Sequence, residues 1–235
     1  MANSADSEII RSMFSKVAAN YDKANSILSL GIHHLWRKKL VQLSKVQKGQ
    51  AVLDCATGTG DLAIEFNKSV GPEGQVIGTD FCPEMLAQSP AKALAQNLKI
   101  EFTYADVTQL HFRDNEFDIV SISFGIRNVA DPIRALQEMA RVCRPGGKVM
   151  ILEFGQMTSP ILSTLYTFYS EKIIPLLGGW VTGQKEAYTY LQKSSAAFPS
   201  REKFLTLMDQ AQVFSKTSFK SVSFGIACIY IGTKK

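Results

Sequence analysis

Cysteine is scarce, and the four present, Cys55, Cys82, Cys143 and Cys228, stand far apart with no CxxC pair. That argues against a zinc ribbon and a disulfide-stapled fold, and for reduced thiols in a cytosolic chain. Histidine is rarer still, with only His33, His34 and His111. The spacing shows no cluster of metal ligands, and no metal is expected. The longest apolar run, Ile173-Ile-Pro-Leu-Leu-Gly-Gly-Trp-Val181, is far short of the roughly 18–20 residues of a membrane span. The opening Met-Ala-Asn-Ser-Ala-Asp-Ser-Glu has no basic or apolar leader region, so no targeting peptide is expected and the location is read as cytoplasmic. With 46% hydrophobic and 20% charged residues, collagen-like and disordered chains are excluded. The net charge of +5 is too small and too dispersed for a nucleic-acid groove, and no nucleic acid is expected as a partner.

What is present fits one complete domain with an appendage in 235 residues. Ile10, Met13, Phe14, Val17 and Tyr21 recur at helical spacing over 7–21, and a second helix is expected at about 27–46. Short strands are expected at Ala51–Asp54, Gln75–Asp80, Ile100–Tyr104, Phe117–Phe124 and Lys148–Phe154, with helices between them. Pro83 and Asp131-Pro132 read as helix starts. Strands alternating with helices imply a parallel, doubly wound α/β sheet covered on both faces. The alternation stops after residue 155, and an aromatic stretch follows at 160–198. A helix from Pro199 to about Ala211 leads to two β-like runs, 213–219 and 222–231. Only Lys220-Ser221 separates them, a hairpin signal.

Gly58-Thr-Gly60-Asp-Leu-Ala63 matches the GxGxxG/A loop between a strand and a helix. A dinucleotide loop offers bare backbone N–H groups to a pyrophosphate. Here Asp54 and Asp61 flank the loop, where their charges disfavour a diphosphate and suit a ligand bearing an ammonium and a sulfonium. S-adenosyl-L-methionine is such a ligand. Asp80 ends the second strand, placed to accept both hydroxyls of a ribose. Asp106 with Val107 follows the third strand, placed for an adenine, and Ser123 ends the fourth. Each acid alone reads equally well as a helix cap. Their recurrence at carboxyl ends of successive strands marks the ligand crevice of an open α/β sheet.

Two longer signatures resemble a known family. Tyr21-Asp-Lys-Ala-Asn25-Ser-Ile-Leu-Ser29-Leu-Gly31-Ile-His33-His-Leu-Trp36 is similar to the pattern Tyr-Asp-x-Met-Asn…Ser-x-Gly-x-His-x-x-Trp, with Ala24 where Met is usual. Arg141-Val-Cys-Arg-Pro-Gly-Gly147…Leu152-Glu-Phe154 is similar to a second, with Gly155 in the usual place of Ser. Phe124-Gly-Ile-Arg-Asn128 adds a third segment. The family is the ubiquinone/menaquinone biosynthesis C-methyltransferases, within the class I SAM-dependent methyltransferases. Similarity runs from about Met13 to the C-terminus. The loop departs from the family's Ala-Gly-Gly-Thr-Gly in Ala56 and Thr57, while keeping Thr59 and Asp61 for the ligand.

The resemblance implies a Rossmann-like class I methyltransferase sheet, mostly parallel with a C-terminal antiparallel hairpin, with N-terminal helices and a helical insert. It implies an N-terminal helical cap (1–47), a donor-binding core (48–155), an aromatic lid (156–199), and a C-terminal helix and hairpin completing the sheet (200–235). Donor-binding residues are then Asp54, Gly58, Thr59, Gly60, Asp80, Asp106, Val107 and Ser123. The implied reaction methylates a ring carbon of a prenylated quinol, demethylmenaquinol or 2-polyprenyl-6-methoxy-1,4-benzoquinol, with another small phenol as the alternative. Arg127 suits a developing phenolate, because a guanidinium stays charged and forks onto oxygen. Asn128 adds a hydrogen bond, and Tyr21 and His33 are candidates to shuttle the proton, His33 near its working pKa. Trp36 reads as core. Arg37-Lys38-Lys39 is compatible with a peripheral contact to anionic lipid at the inner face of the cell membrane, and equally with a solvated basic face. No motif specifies an oligomeric state. The rival readings are a metal-dependent O-methyltransferase, which wants a carboxylate cluster, and a non-catalytic donor-binding module, which would have dispensed with Arg127 and Tyr21.

Overall fold

The computed structural model describes residues 4–157, 164 and 166–235. Residues 1–3, and 158–163 and 165 of the expected lid, lie outside the described residues. Strands β1 (Ala51–Cys55), β2 (Gln75–Asp80), β3 (Glu101–Tyr104), β4 (Phe117–Ser123), β5 (Cys143–Phe154), β6 (Phe214–Val222) and β7 (Ala227–Lys234) form one sheet in the order 3-2-1-4-5-7-6. Neighbours from β3 to β5 run parallel. β7 pairs antiparallel with both β5 and β6. The expected mostly parallel sheet with a terminal antiparallel hairpin is therefore observed.

Period-two alternation sorts the central strands onto two cores. Leu53, Cys55, Val120, Ile122, Val149 and Ile151 face one side, with Leu136 and Met139 of α7 (Pro132–Val142) and Phe204 of α10 (Glu202–Gln210). Val52, Ile119, Met150 and Leu152 face the other, with Trp36 and Leu40 of α3 (Ile32–Ser44) and Phe66 of α4 (Asp61–Val70). α7 begins where Asp131 accepts a hydrogen bond from the Arg134 N–H, with Pro132 in its first turn.

A smaller core joins the N-terminal helices to residues 174–191. Val17 of α1 (Ser4–Val17) and Ala24 and Leu28 of α2 (Tyr21–Leu28) pack with Ala187 and Tyr188 of α9 (Lys185–Ala197). Ile174, Leu177 and Val181 of α8 (Ile174–Thr182) close it. Helices α1 and α2 thus pack with α8 and α9, while α3 lies on the sheet.

Five boundaries differ from expectation. A 3₁₀ turn over Ala18–Asn20 divides the first helix, and the second is cut at Leu30 and Gly31, whose φ values of 50° and 74° reverse the chain. β5 starts at Cys143, since Phe117 pairs with Cys143 across a bulge, and so includes Arg144-Pro-Gly-Gly147. The hairpin turn is not Lys220-Ser221: Ser223, Phe224 and Gly225 take φ of 47°, 57° and 95°, and Val222 pairs with Ala227. Gly225 was the true turn signal, masked by the apolar run after it. The last helix begins at Glu202, after Arg201 in the left-handed region, rather than at Pro199.

Candidate active site

β1 is the switch point of the sheet, with β2 and β3 to one side and β4 and β5 to the other. Ligands of such sheets bind outside the carboxyl ends beside that strand. A cavity of about 130 Å³ lies there. Its wall includes Gly58, Asp80, Asp106, Val107, Ser123 and Asn128, bringing together most of the expected donor residues. Gly58 and Gly60 hold φ of 60° and 87°, the left-handed conformation that lets the loop turn into α4.

Within this cavity Asp80 accepts from the Gly58 N–H at 2.7 Å and from the Cys82 N–H at 2.9 Å. Burial still outweighs these bonds and pushes its pKa up to about 6. Asp106 accepts from the backbone N–H and hydroxyl of Thr108, both at 2.8 Å. Ser123 Oγ is buried without a hydrogen-bond partner among the described residues. A buried hydroxyl left unpaired is costly, and one facing a cavity calls for a ligand that pairs it. Acceptors at Asp80 and Asp106, apolar Val107 and this orphaned hydroxyl fit an adenosine.

Three expected donor residues stand elsewhere. Asp54 is fully enclosed, accepting from Thr57 Oγ1 and Ser121 Oγ at 2.7 Å each, and burial raises its pKa to about 6. It ties β1 to β4 under the loop and lines neither cavity. Thr59 lines neither cavity, and its hydroxyl donates to Asp22 at 2.6 Å. Gly60 packs against Phe102 and Ser89, where a Cβ would come within 3.1 Å and 3.2 Å of them. Nor does Asp61 present a free charge: it pairs with Arg37 at 3.2 Å and with Lys92, which also holds Asp22 at 2.6 Å. Of the two flanking acids expected to repel a diphosphate, Asp61 is thus neutralised by Arg37 and Lys92, and Asp54 is enclosed beneath the loop. Thr57, in the usual place of a glycine, serves Asp54 instead of disturbing the loop.

A second cavity of about 240 Å³ opens above the first. Its wall is aromatic and aliphatic, from Trp36, Phe154, Tyr166, Tyr169 and Tyr188 among others, with polar groups from Tyr21, His33 and Arg127. The two cavities share Phe14, Tyr21 and Phe124. Phe124 is held at φ 57°, a strained conformation for an aromatic residue, and stacks on Phe154 at 4.6 Å between centroids.

Arg127 is 4% exposed and pairs with the carboxylate of Glu153 at 2.9 Å. The same nitrogen donates to the Phe124 carbonyl at 2.5 Å, and the guanidinium lies over the Phe154 ring. Its Nε is buried with no hydrogen-bond partner among the described residues. Asn128 accepts from the Tyr190 hydroxyl at 3.2 Å, linking the core to α9. Desolvation raises the Tyr21 pKa, so its hydroxyl stays protonated as a donor. His33 departs from expectation. Burial first, and then the Arg37 cation, lower its pKa to about 3, and Nδ1 lies 2.5 Å from Ser29 Oγ. It is neutral near pH 7 rather than poised to titrate.

His33, His34 and Asp61 also come together, with ligand atoms within 4.8 Å, a grouping the spacing did not show. Arg37 and Lys92 engage the Asp61 carboxylate on both oxygens, so the cluster is an ion-pair network. Arg37 is buried in it and is not free for a lipid surface. Trp36 packs as expected, its Nε1–H donating to Ser223 Oγ at 2.8 Å.

Sequence reasoning missed Glu153 and Tyr190 as partners of Arg127 and Asn128. Glu153 stands one residue before the end of β5, where the strand-end position that marks Asp80 and Ser123 also points to it.

Residues 1–234 match the ubiE/COQ5 methyltransferase family. The chain is 64% identical over 233 residues to the ubiquinone/menaquinone biosynthesis C-methyltransferase UbiE of Bdellovibrio bacteriovorus, covering 99% of each. It is 38% identical over 233 residues to the demethylmenaquinone methyltransferase of Staphylococcus carnosus, covering 99% of this chain and 96% of that one. A SAM-dependent methyltransferase from Aquifex aeolicus shares the fold, with a TM-score of 0.66, 17% identity, and coverage of 91% of this chain and 98% of that one. The chain belongs to the ubiE/COQ5 methyltransferase family and is an S-adenosyl-L-methionine-dependent methyltransferase.

Proposed function

We propose that the enzyme methylates a ring carbon of a prenylated quinol, converting demethylmenaquinol to menaquinol. The observation that carries this reading is a polar crevice meeting a larger aromatic cavity at Phe14, Tyr21 and Phe124. The names of the Bdellovibrio and Staphylococcus relatives point to the same quinone chemistry. S-adenosyl-L-methionine supplies an electrophilic methyl group when bound. Asp80, Asp106, Val107 and Ser123 hold its adenosine, and Gly58 lets the backbone approach.

On the acceptor side, Arg127 and Tyr21 direct N–H and O–H donors at the ring oxygen, favouring its ionised form. Electron density from that oxygen makes the adjacent ring carbon nucleophilic. Glu153 keeps the guanidinium in place, and Asn128 is fixed by Tyr190. Neutral His33 serves as a hydrogen-bond acceptor, and water carries away the displaced ring proton. The unit formed by 1–47 and 156–199 encloses the prenylated acceptor; 48–155 binds the donor, and 200–235 completes the sheet. A prenyl tail places the working enzyme peripherally, at the inner face of the cell membrane.

Cells lacking the protein are expected to accumulate demethylmenaquinone, detected by mass spectrometry of extracted quinones. Accumulation of a methoxybenzoquinone precursor alone would assign the other ring. Donor binding gives a separate test. Asp80→Ala leaves two ribose hydroxyls without a charged acceptor, a loss of about 1.5–3 kcal/mol in calorimetric titration. Because burial raises Asp80 to about 6, the accepting carboxylate forms only above that pH. Wild-type donor affinity should therefore rise from pH 5 to pH 7. Asp80→Asn should flatten the profile; an unchanged one would remove Asp80 from the site.

A further inference from the structure

Leu30 is 84% exposed although it lines the larger cavity, so it stands at the mouth. Ile32 shares that position at 37%. Leu35, one turn along α3, is 63% exposed, and Phe224 at the β6–β7 turn is 76% exposed. The turn is held beside α3 by the Trp36–Ser223 hydrogen bond, and Ile226 reaches the same cavity. Leu30 and Phe224 both sit in the left-handed region, at φ of 50° and 57°. Neither local backbone preference nor burial accounts for large apolar side chains at two such tips. A surrounding apolar medium does.

The charge around the tips names that medium. Between Asp22 and Asp54 the chain carries no acid, and the unburied cations beside Leu35 on α3 are Lys38 and Lys39. Beyond Asp209, Lys220 lies on β6 two residues before Val222, where the turn begins. On α3, Lys38 and Lys39 follow Leu35 at three and four residues, so they lie one helical turn behind the apolar tip. Apolar tips ahead of a row of lysines match acyl chains lying behind anionic headgroups.

We infer that Leu30, Ile32, Leu35 and Phe224 form a rim that dips into an anionic lipid bilayer and opens the larger cavity directly to the acyl layer. The choice of acyl layer as the source of the acceptor rests on the prenylated-quinol reading; the binding itself does not. Lys38 and Lys39 rest on the headgroups, while Arg37 remains paired inside. A tail then passes from lipid to cavity without crossing water.

Co-sedimentation with vesicles tests this, in the absence of donor and acceptor. The wild type should pellet with mixed phosphatidylcholine and phosphatidylglycerol vesicles, and much less with phosphatidylcholine alone. The double variant Leu35→Gln/Phe224→Asn touches neither cavity wall, and asparagine tolerates the left-handed region, so folding and melting temperature should persist. Its partition onto mixed vesicles should fall about tenfold. Lys38→Gln/Lys39→Gln should lose a similar factor on mixed vesicles and nothing on neutral ones. Wild-type protein remaining in the supernatant with both vesicle types would overturn the inference. So would rim variants that pellet like the wild type. A wild-type dimer dispersed by Leu35→Gln/Phe224→Asn, with no vesicle binding, would assign the rim to a second copy instead. Failed quinol methylation alongside intact vesicle binding would fault only the substrate reading.

Discussion

Replacing Arg127 should cost the enzyme both stability and catalysis, and its ion pair with Glu153 allows the two to be separated. Arg127→Ala leaves Glu153, 1% exposed, as an uncompensated buried charge. Breaking such a pair from one side costs about 3–5 kcal/mol, and in a chain of this size lowers the melting temperature by roughly 10 °C. The double variant Arg127→Gln/Glu153→Gln removes both charges and keeps hydrogen-bonding groups of similar shape, so much of that stability should return. Catalysis should not return with it. If the Arg127 N–H groups stabilise negative charge forming on the ring oxygen, their loss lowers kcat by about 10²–10³, the usual cost of an oxyanion-type donor. Donor affinity should stay nearly constant in both variants, since Arg127 lies in the wall of the larger cavity only. Arg127→Lys keeps the pair but loses the planar fork, giving a stable protein with much of its activity gone. Melting temperature, donor affinity and kcat from one preparation decide the matter. A double variant that regains both stability and turnover would reduce Arg127 to a structural role.

Much of the fold was legible because its signals are local and repeated. Ala51–Cys55, Gln75–Asp80 and Phe117–Ser123 are short apolar strands that run into turn or capping residues. Asp80 and Ser123 could be found by position alone, since the carboxyl ends of parallel strands face one crevice. The errors came from contacts distant in sequence. Nothing near Thr59 shows that Asp22 will take its hydroxyl, nor does anything near Asp61 reveal Lys92. Likewise, His33 looks like a neutral-pH base until its burial beside Arg37 is seen. An acid before a glycine loop suits a cationic ligand, but Asp54 accepts from Thr57 and Ser121 and braces the loop. Chain reversals at Leu30 and Phe224 were missed because apolar residues seldom occupy the left-handed region, so their sequences read as helix and strand.

The redox state of the acceptor should have an all-or-none effect. An oxidised quinone ring is electron-poor at carbon and has nothing to offer an electrophilic methyl group. Two-electron reduction gives the quinol, and loss of one phenolic proton places electron density on the adjacent ring carbon. On the proposed reading Arg127 and Tyr21 act on that oxygen, and their contribution would exist only for the reduced ring. A bound S-adenosyl-L-methionine would supply the methyl group as an electrophile, its sulfur keeping the electron pair, while Arg127 and Tyr21 would hold the charge on the ring oxygen. The ring then loses the proton from the methylated carbon to water and regains its aromatic character. Methyl transfer to a short-chain demethylmenaquinone should accordingly need a chemical reductant, with no more than background turnover without it.

The most direct measurement supplies S-adenosyl-L-methionine carrying a trideuterated methyl group, with and without reductant, and locates the label by mass spectrometry and proton NMR. Under reducing conditions the label should appear on the ring carbon, with the ring proton lost. Label on a phenolic oxygen, or equal transfer to the oxidised ring, would contradict carbon methylation of a quinol.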